Sequence, residues 1–373
     1  MGSTWKNALG LSIFGESHGA AIGMTLDGLP AGEPIDFDIL QAFLNRRAPG
    51  NFPWTTARKE ADIPEFLSGI YQGHTTGSPI TATIKNMNTR SGDYEELTHI
   101  PRPGHADYTA EVKYGGFQDL RGGGHFSGRL TASLCIAGGI CLQILERRRI
   151  TIGASVVNIG RSKTDIGGFG FTPDKEMLDP ERLKALSKMN IPLFDESLAE
   201  NMIAEMVQAK EEGDSVGGQI QCIALGVPPG LGDPIFNGME NRISALVFSI
   251  PAVKAIGFGS GLGFSMMRGS ECKDEYCLCD GEIKTKMNCN GGILGGITTG
   301  MPILFTTTIK PTPSIAKTQQ SVNLQTGETV DVNIQGRHDP CIVPRAVPVI
   351  EAAAAIAIYD AILEREGKQH VTR

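Results

Sequence analysis

Between Arg129 and Arg149 lies a run, Leu-Thr-Ala-Ser-Leu-Cys-Ile-Ala-Gly-Gly-Ile-Cys-Leu-Gln-Ile-Leu, that is apolar nearly all the way round a helix. A helix without a polar face has to be covered on every side, so it belongs inside a fold. A second such stretch runs from Ala346 to Glu364, where Ala352 to Ala355 suit close packing against a neighbour. Neither reaches the ~18 uninterrupted apolar residues of a membrane span, so both are read as buried helices. Two interior helices need layers to cover them, and that requirement shapes the rest of the chain.

Strand signals occur at 78–85, 150–160, 217–227, 254–268 and 301–309. They come in groups and not in strict alternation with helices, which predicts an α+β fold with antiparallel sheets around the buried helices. A helix is expected from Phe37 to Arg47, capped by Asp36, with Ile39, Leu40, Phe43 and Leu44 on one face. It must stop before Ala48-Pro49-Gly50, which leaves Arg46 and Arg47 in its last turn beside a loop. There they either compensate the helix dipole or bind an anion at the loop mouth. Amphipathic helices are expected at about 180–189 and 195–212, the latter started by Asp195 and ended at Gly213. The polar stretches 270–290 and 319–331 read as mobile loops.

The 373 residues carry a formal charge of −7, which argues against a general nucleic-acid or membrane-surface binder. Met1-Gly-Ser-Thr-Trp-Lys6 has no charged region leading into an apolar one, so no secretory signal is read and a cytoplasmic location is expected. The eight cysteines are then expected to be reduced. Cys272, Cys277, Cys279 and Cys289 fall in one polar stretch, but their spacing matches no common zinc pattern, and no metal is expected.

Four glycine- or proline-stiffened turns carry the polar chemistry. They are Gly15-Glu-Ser-His-Gly19, Arg102-Pro-Gly-His-Ala-Asp107, Arg121-Gly-Gly-Gly-His-Phe-Ser-Gly-Arg129 and Gln335-Gly-Arg-His-Asp-Pro-Cys341. A single loop histidine is ordinarily solvated, and an arginine at a helix end is ordinarily a surface charge. Recurrence is what counts: Arg47, Arg102, Arg129 and Arg337 would make a cationic cleft in an acidic protein, suited to carboxylates and phosphate. Glycines before a buried helix also free backbone N–H groups to face an anion. Gly15 to Gly19 fits the G-x-S-x-G elbow of serine hydrolases too, but too little chain precedes it to supply the strands and oxyanion loop. No dinucleotide or P-loop fingerprint occurs.

Taken together, the chain resembles the chorismate synthase family. The resemblance is carried by Gly15–Gly19 running on to Asp27-Gly-Leu-Pro30, by Gly122–Thr131, and by Arg337-His-Asp-Pro-Cys341 through Glu351. Asn45–Gly50, Arg90–Tyr94, Arg102–Asp107, Asn290–Gly296 and Lys310–Ser314 match in the family order. It implies a β-α-β sandwich, a single domain over 1–373 and a homotetramer. The implied reaction is 1,4-anti elimination of phosphate from 5-enolpyruvylshikimate-3-phosphate to give chorismate. Reduced FMN is implied as cofactor without net redox change, with NADPH only as a flavin reductant.

Residue by residue, the resemblance implies His18 as general acid to the leaving phosphate, His105 beside the flavin and Asp339 in the proton relay. Arg47, Arg102, Arg129 and Arg337, with Ser17, are implied substrate contacts. His125, Phe126, Ser127, Pro251, Ala252, Gly295, Lys310, Pro311, Thr312, Pro313, Ser314 and Arg337 are implied flavin contacts. Many members carry Arg-Ser where this chain has His125-Phe126, which implies a weaker cationic contact there. A further arginine common after the Arg-Arg-x-Pro-Gly turn is missing from Asn51-Phe-Pro-Trp54. The rival of another class is a flavin- or anion-binding protein without catalysis.

Overall fold

The computed structural model describes residues 2–50, 60–87, 99–163, 178–279, 281–334 and 339–369. Strands β1 (Thr4–Lys6), β2 (Gly10–Gly15) and β3 (Ala21–Asp27) form a meander that leads into helix α1 (Phe37–Arg47). Next come β4 (Glu65–Ser68), the small ladder β5 (Ile70–Tyr71) and β6 (His74–Thr75), and β7 (Ile80–Lys85). An antiparallel sheet forms in the order β1-β2-β3-β7-β4. In β7 the buried Ile80, Ala82 and Ile84 alternate with more exposed threonines, so one face of the strand points inward by its period of two.

Helix α2 (Asp107–Tyr114) is followed by the first interior helix, α3 (Thr131–Arg147). Then come β8 (Thr151–Ile159), β9 (Ser162–Lys163), α4 (Pro180–Leu186), α5 (Ala199–Glu211), β10 (Gly218–Leu225), α6 (Met239–Phe248) and β11 (Val253–Phe258). The hairpin β12 (Tyr276–Cys279) and β13 (Glu282–Thr285) precedes β14 (Ile293–Leu294), β15 (Ile297–Thr298) and β16 (Ile303–Ile309). A last hairpin, β17 (Gln319–Val322) and β18 (Thr329–Val332), leads to the second interior helix, α7 (Val343–Gln369). The second sheet is antiparallel in the order β11-β16-β10-β8-β9.

Helices α3 and α7 pack along one another; α3 also touches β3 and β7 of the first sheet, while α7 touches β8 and β10 of the second. Small residues allow this approach: a Cβ on Gly138 would overlap Ala352 of α7, and one on Gly139 would come 2.5 Å from Leu40 Cδ1 of α1. By length and apolar content alone, Gly128–Arg147 and Val343–Lys368 would both qualify as membrane spans, but the fold buries 89% and 94% of their apolar windows. One apolar cluster runs from Leu9 to Ile362.

The two acids buried in α7 each have a fixed partner. Glu351 takes a fork from Arg46 (2.6 and 2.9 Å) and the Ala154 amide (3.0 Å), joining α1 and β8 to the central helix. Asp360 accepts from Arg242 Nη1 (2.5 Å) and the Leu9 amide (2.8 Å), joining α6 and the β1–β2 turn to it.

Several expectations need correction. Ile39 is 55% exposed and lies off the buried face of α1. The strand expected over 254–268 ends at Phe258, because Gly259 (φ +53°) and Gly261 (φ +51°) turn the chain into a short 3₁₀ segment at Gly261–Met266. The polar stretches 270–290 and 319–331 contain hairpins. The second of these packs on the loop before α2, where Ser321 donates to the Pro101 carbonyl (2.5 Å) and the Leu324 amide to that of His99 (2.9 Å).

Candidate active site

Gly15 ends β2 at φ +96°, where a Cβ would overlap the Ala21 carbonyl, so the sharp turn into residues 16–20 needs glycine. The Ser17 amide donates to Gly124 O (3.1 Å), which ties this turn to the glycine loop before α3. Ser17 Oγ lies 3.2 Å from His18 Nδ1 and also donates to Arg121 O (3.2 Å). Ser17 is only 1% exposed, so it is no exposed nucleophile; of the two, His18 is the one that lines the cleft.

Gly122, Gly123 and Gly124 all have positive φ. A Cβ on Gly122 would overlap the His18 ring, and one on Gly123 would sit 3.1 Å from His105 Cε1 and Nε2. The triple glycine therefore works in a way its sequence did not suggest: it lets two imidazoles close on one stretch of backbone. A short 3₁₀ turn, Gly128–Leu130, separates this loop from α3.

His105 Nδ1 lies 2.5 Å from Asp107 Oδ1, at the start of α2. At so short a distance to a carboxylate Nδ1 is the donor, and Nε2 lies against Gly123 with Arg102 Nη2 3.4 Å away. Arg102 donates to both oxygens of the same carboxylate, from Nε (2.7 Å) and Nη2 (2.8 Å). Burial opposes the Asp107 charge, yet its bonds to Arg102 and His105 hold its pKa well below the usual carboxylate range. Arg102 thus clamps the orienting acid. Asp107 was not read from sequence as functional, although its His-x-Asp spacing was visible.

The opposite wall is held by ion pairs. Arg47 spends each guanidinium nitrogen inside the protein, on Thr131 Oγ1 (3.1 Å), Asp62 (2.7 Å) and Gly128 O (3.0 Å). Arg129 pairs with Asp62 through Nη1 and with Glu60 through Nε (2.9 Å). Burial would raise the Asp62 pKa, but Arg47 and Arg129 bring it below its ordinary value. Burial and the neighbouring Arg47 lower that of Arg129. Asp339 is paired with Arg345 of the first turn of α7, whose Nε donates to Arg47 O (3.0 Å). Glu60, Asp62 and Arg345 were not read from sequence: Glu60 and Asp62 meet Arg129 across more than sixty residues, and the link from Arg345 to Arg47 O spans nearly three hundred. The cleft is consequently less cationic than its arginines alone suggest.

The third side is formed by Pro251, Ala252, Lys310, Thr312, Pro313 and Ser314, together with Lys254. Burial, then the nearby Lys254, lowers the Lys310 pKa, and Lys310 donates to Gly104 O. Thr312 Oγ1 is buried without a hydrogen-bond partner. Two neighbouring ammonium groups and an orphaned hydroxyl fit a phosphate-bearing cofactor, and the cleft measures about 750 Å³.

His125, Phe126 and Ser127 also line the cleft. The His125 ring is held at both nitrogens, by Gly15 O (2.8 Å) and Ser3 Oγ (2.7 Å), so at this position the chain has a tether between loop and β-meander. Ser127 Oγ accepts from the Arg129 amide (3.2 Å). Pro311 and Gly295 are not among the lining residues; Gly295 lies in the turn between β14 and β15. Arg337, Arg90–Tyr94 and Asn51–Trp54 lie outside the described residues. Cys277 and Cys279 bring their sulfurs to 3.5 Å on β12, and among the described residues no group of three or more ligating side chains converges.

Comparison with known proteins agrees with this geometry. The sequence model of the family described as "Chorismate synthase" matches residues 9–363. The chorismate synthase of Korarchaeum cryptofilum is 45% identical over 362 residues, 97% of this chain and 98% of that protein. That of Lancefieldella parvula is 46% identical over 379 aligned positions, 99% of this chain and 98% of that protein. A crystal structure of a chorismate synthase superposes with a TM-score of 0.74 at 30% identity, covering 96% of this chain and 92% of that one. The chain belongs to the chorismate synthase family.

Proposed function

We propose that this chain is the phosphate-eliminating lyase its family implies, converting 5-enolpyruvylshikimate-3-phosphate to chorismate and phosphate. The observation that carries the reading is the pairing of His18 and His105 on adjacent glycines of one loop, facing a wall of arginines and acids. Such a site can give a proton to a departing phosphate and hold an anionic ring in place.

His18 is read as the general acid. Its Nδ1 is engaged by Ser17 Oγ, and the ring lines the cleft where the leaving phosphate would sit. His105, with Nδ1 on Asp107, keeps a fixed tautomer toward the cleft. Asp339, oriented by Arg345, holds the proton that leaves the ring carbon. Arg129, and Arg337 outside the described residues, are read as anion contacts; Arg47 and Arg102 act by fixing their neighbours. Lys310, Thr312 and Ser314 would hold the phosphate of reduced FMN, with Pro251 and Ala252 alongside. Reduced flavin held there would supply electron density for the loss of phosphate, with no net redox change.

Family membership also supports a single domain, a β-α-β sandwich, a homotetramer, a cytoplasmic location and NADPH solely as a reductant of flavin. An anaerobic assay with photoreduced FMN, following chorismate absorbance, tests the reading. The parent protein turns over, while His18→Ala and His105→Ala each lower kcat by ~100-fold or more with FMN still bound. FMN binding without turnover in the parent would instead favour the non-catalytic rival.

A further inference from the structure

We propose that Glu60 is a built-in counter-anion of the substrate site, seated on Arg129 where an incoming carboxylate or phosphate has to bind. The inference rests on reading Arg129 as an anion contact.

Two acids meet Arg129, and they differ in kind. Asp62 has a fully buried side chain, bridges Arg47 and Arg129 with its two oxygens, and does not line the cleft. It is a permanent counter-ion. Glu60 is also well covered, its side chain 4% exposed, but it lines the cleft, and its Oε2 meets Arg129 at Nε, 2.9 Å away, a nitrogen that also donates to Asn86 Oδ1 (3.2 Å). Nε therefore keeps a neutral acceptor if Glu60 withdraws. Asp62 divides a single negative charge between Arg47 and Arg129, so without Glu60 the pair keeps a net positive charge for an incoming anion to neutralise.

An anionic ligand approaching Arg129 meets a carboxylate already in place. Like charges at that distance repel, so the ligand displaces Glu60 or binds poorly. A single weak anion would not succeed, whereas a substrate with several anionic groups, engaging other parts of the cleft at once, would. Glu60 is thus a specificity-determining residue: it screens the site against small ordinary anions.

The test uses the full-length protein and inorganic phosphate, read by the concentration dependence of its protection against thermal unfolding. Glu60→Gln, which keeps the side chain's shape and removes its charge, is expected to bind phosphate ~10-fold more tightly than the parent. The gain should persist when Lys310→Ala is added and vanish when Arg129→Gln is added, which locates it at Arg129 and not at the lysine wall. Unchanged or weaker phosphate binding by Glu60→Gln, or a gain indifferent to Arg129→Gln, overturns the proposal. Glu60→Ala, which removes the carboxylate altogether, should also gain affinity; if the Gln variant does not fold, the Ala variant decides by the same criterion. Turnover is not the readout, so failure of the assigned reaction and failure of this inference remain distinguishable.

Discussion

The smallest feature that governs this site is a missing Cβ. At Gly122 the backbone has φ +61° and the His18 ring occupies the space where a side chain would begin. Gly122→Ala therefore carries a left-handed backbone penalty of about 1–2 kcal/mol and also pushes the imidazole aside. A displacement on the order of 1 Å at a catalytic group is enough for a ~100-fold loss of turnover. We expect kcat to fall by at least that much while the melting temperature moves only a few degrees; near-parental turnover would show that His18 does not depend on this contact. At this scale the sequence was readable where function clusters locally. The turns bearing His18, His105 and the three glycines stood out because each is written in a few consecutive residues. Asp62, Glu60 and Arg345 did not, since an acid near position 60 says nothing about an arginine at 129 until the fold joins them.

Among the elements, α3 and α7 were legible for a physical reason: no polar face means no surface position. Helix α6 was missed although Met239, Ile243, Leu246 and Val247 keep helical spacing and are buried. Helix α2 gave less to find, because it buries only Ala110 and its dipolar start is used by the site. The contact between α3 and α7 yields a further prediction. Gly138→Ala gains helix propensity of up to ~1 kcal/mol, but its methyl would overlap Ala352, and forcing extra volume into a packed core costs about 1–3 kcal/mol. We expect net destabilisation in urea unfolding, partly relieved by adding Ala352→Gly on the facing helix. Strict additivity of the two substitutions would mean the helices do not touch as described.

For the whole molecule, the acidic balance of −7 coexists with buried cations because the fold pairs its buried arginines with acids, Asp62 serving both Arg47 and Arg129 and Asp360 serving Arg242. That arrangement makes stability depend on pH with a definite sign. Asp62 and Asp107 both have folded pKa values below their unfolded ones, held there against burial by Arg47 and Arg129 in one case and by Arg102 and His105 in the other. Their contribution is complete above the unfolded carboxylate value, ~3.9, and is lost as pH falls from there through the depressed folded values. Asp62→Asn takes the charge away at every pH and leaves two buried guanidinium groups without their shared partner, a change worth about 3–5 kcal/mol when a buried pair is broken. The difference in urea midpoint between parent and Asp62→Asn should therefore be large at pH 7 and narrow steadily below pH 4, as the parent's own carboxylate takes up its proton. A gap that stays constant down to pH 3 would mean that Asp62 stabilises the fold by shape and hydrogen bonding alone, and that the charge on this buried pair contributes nothing.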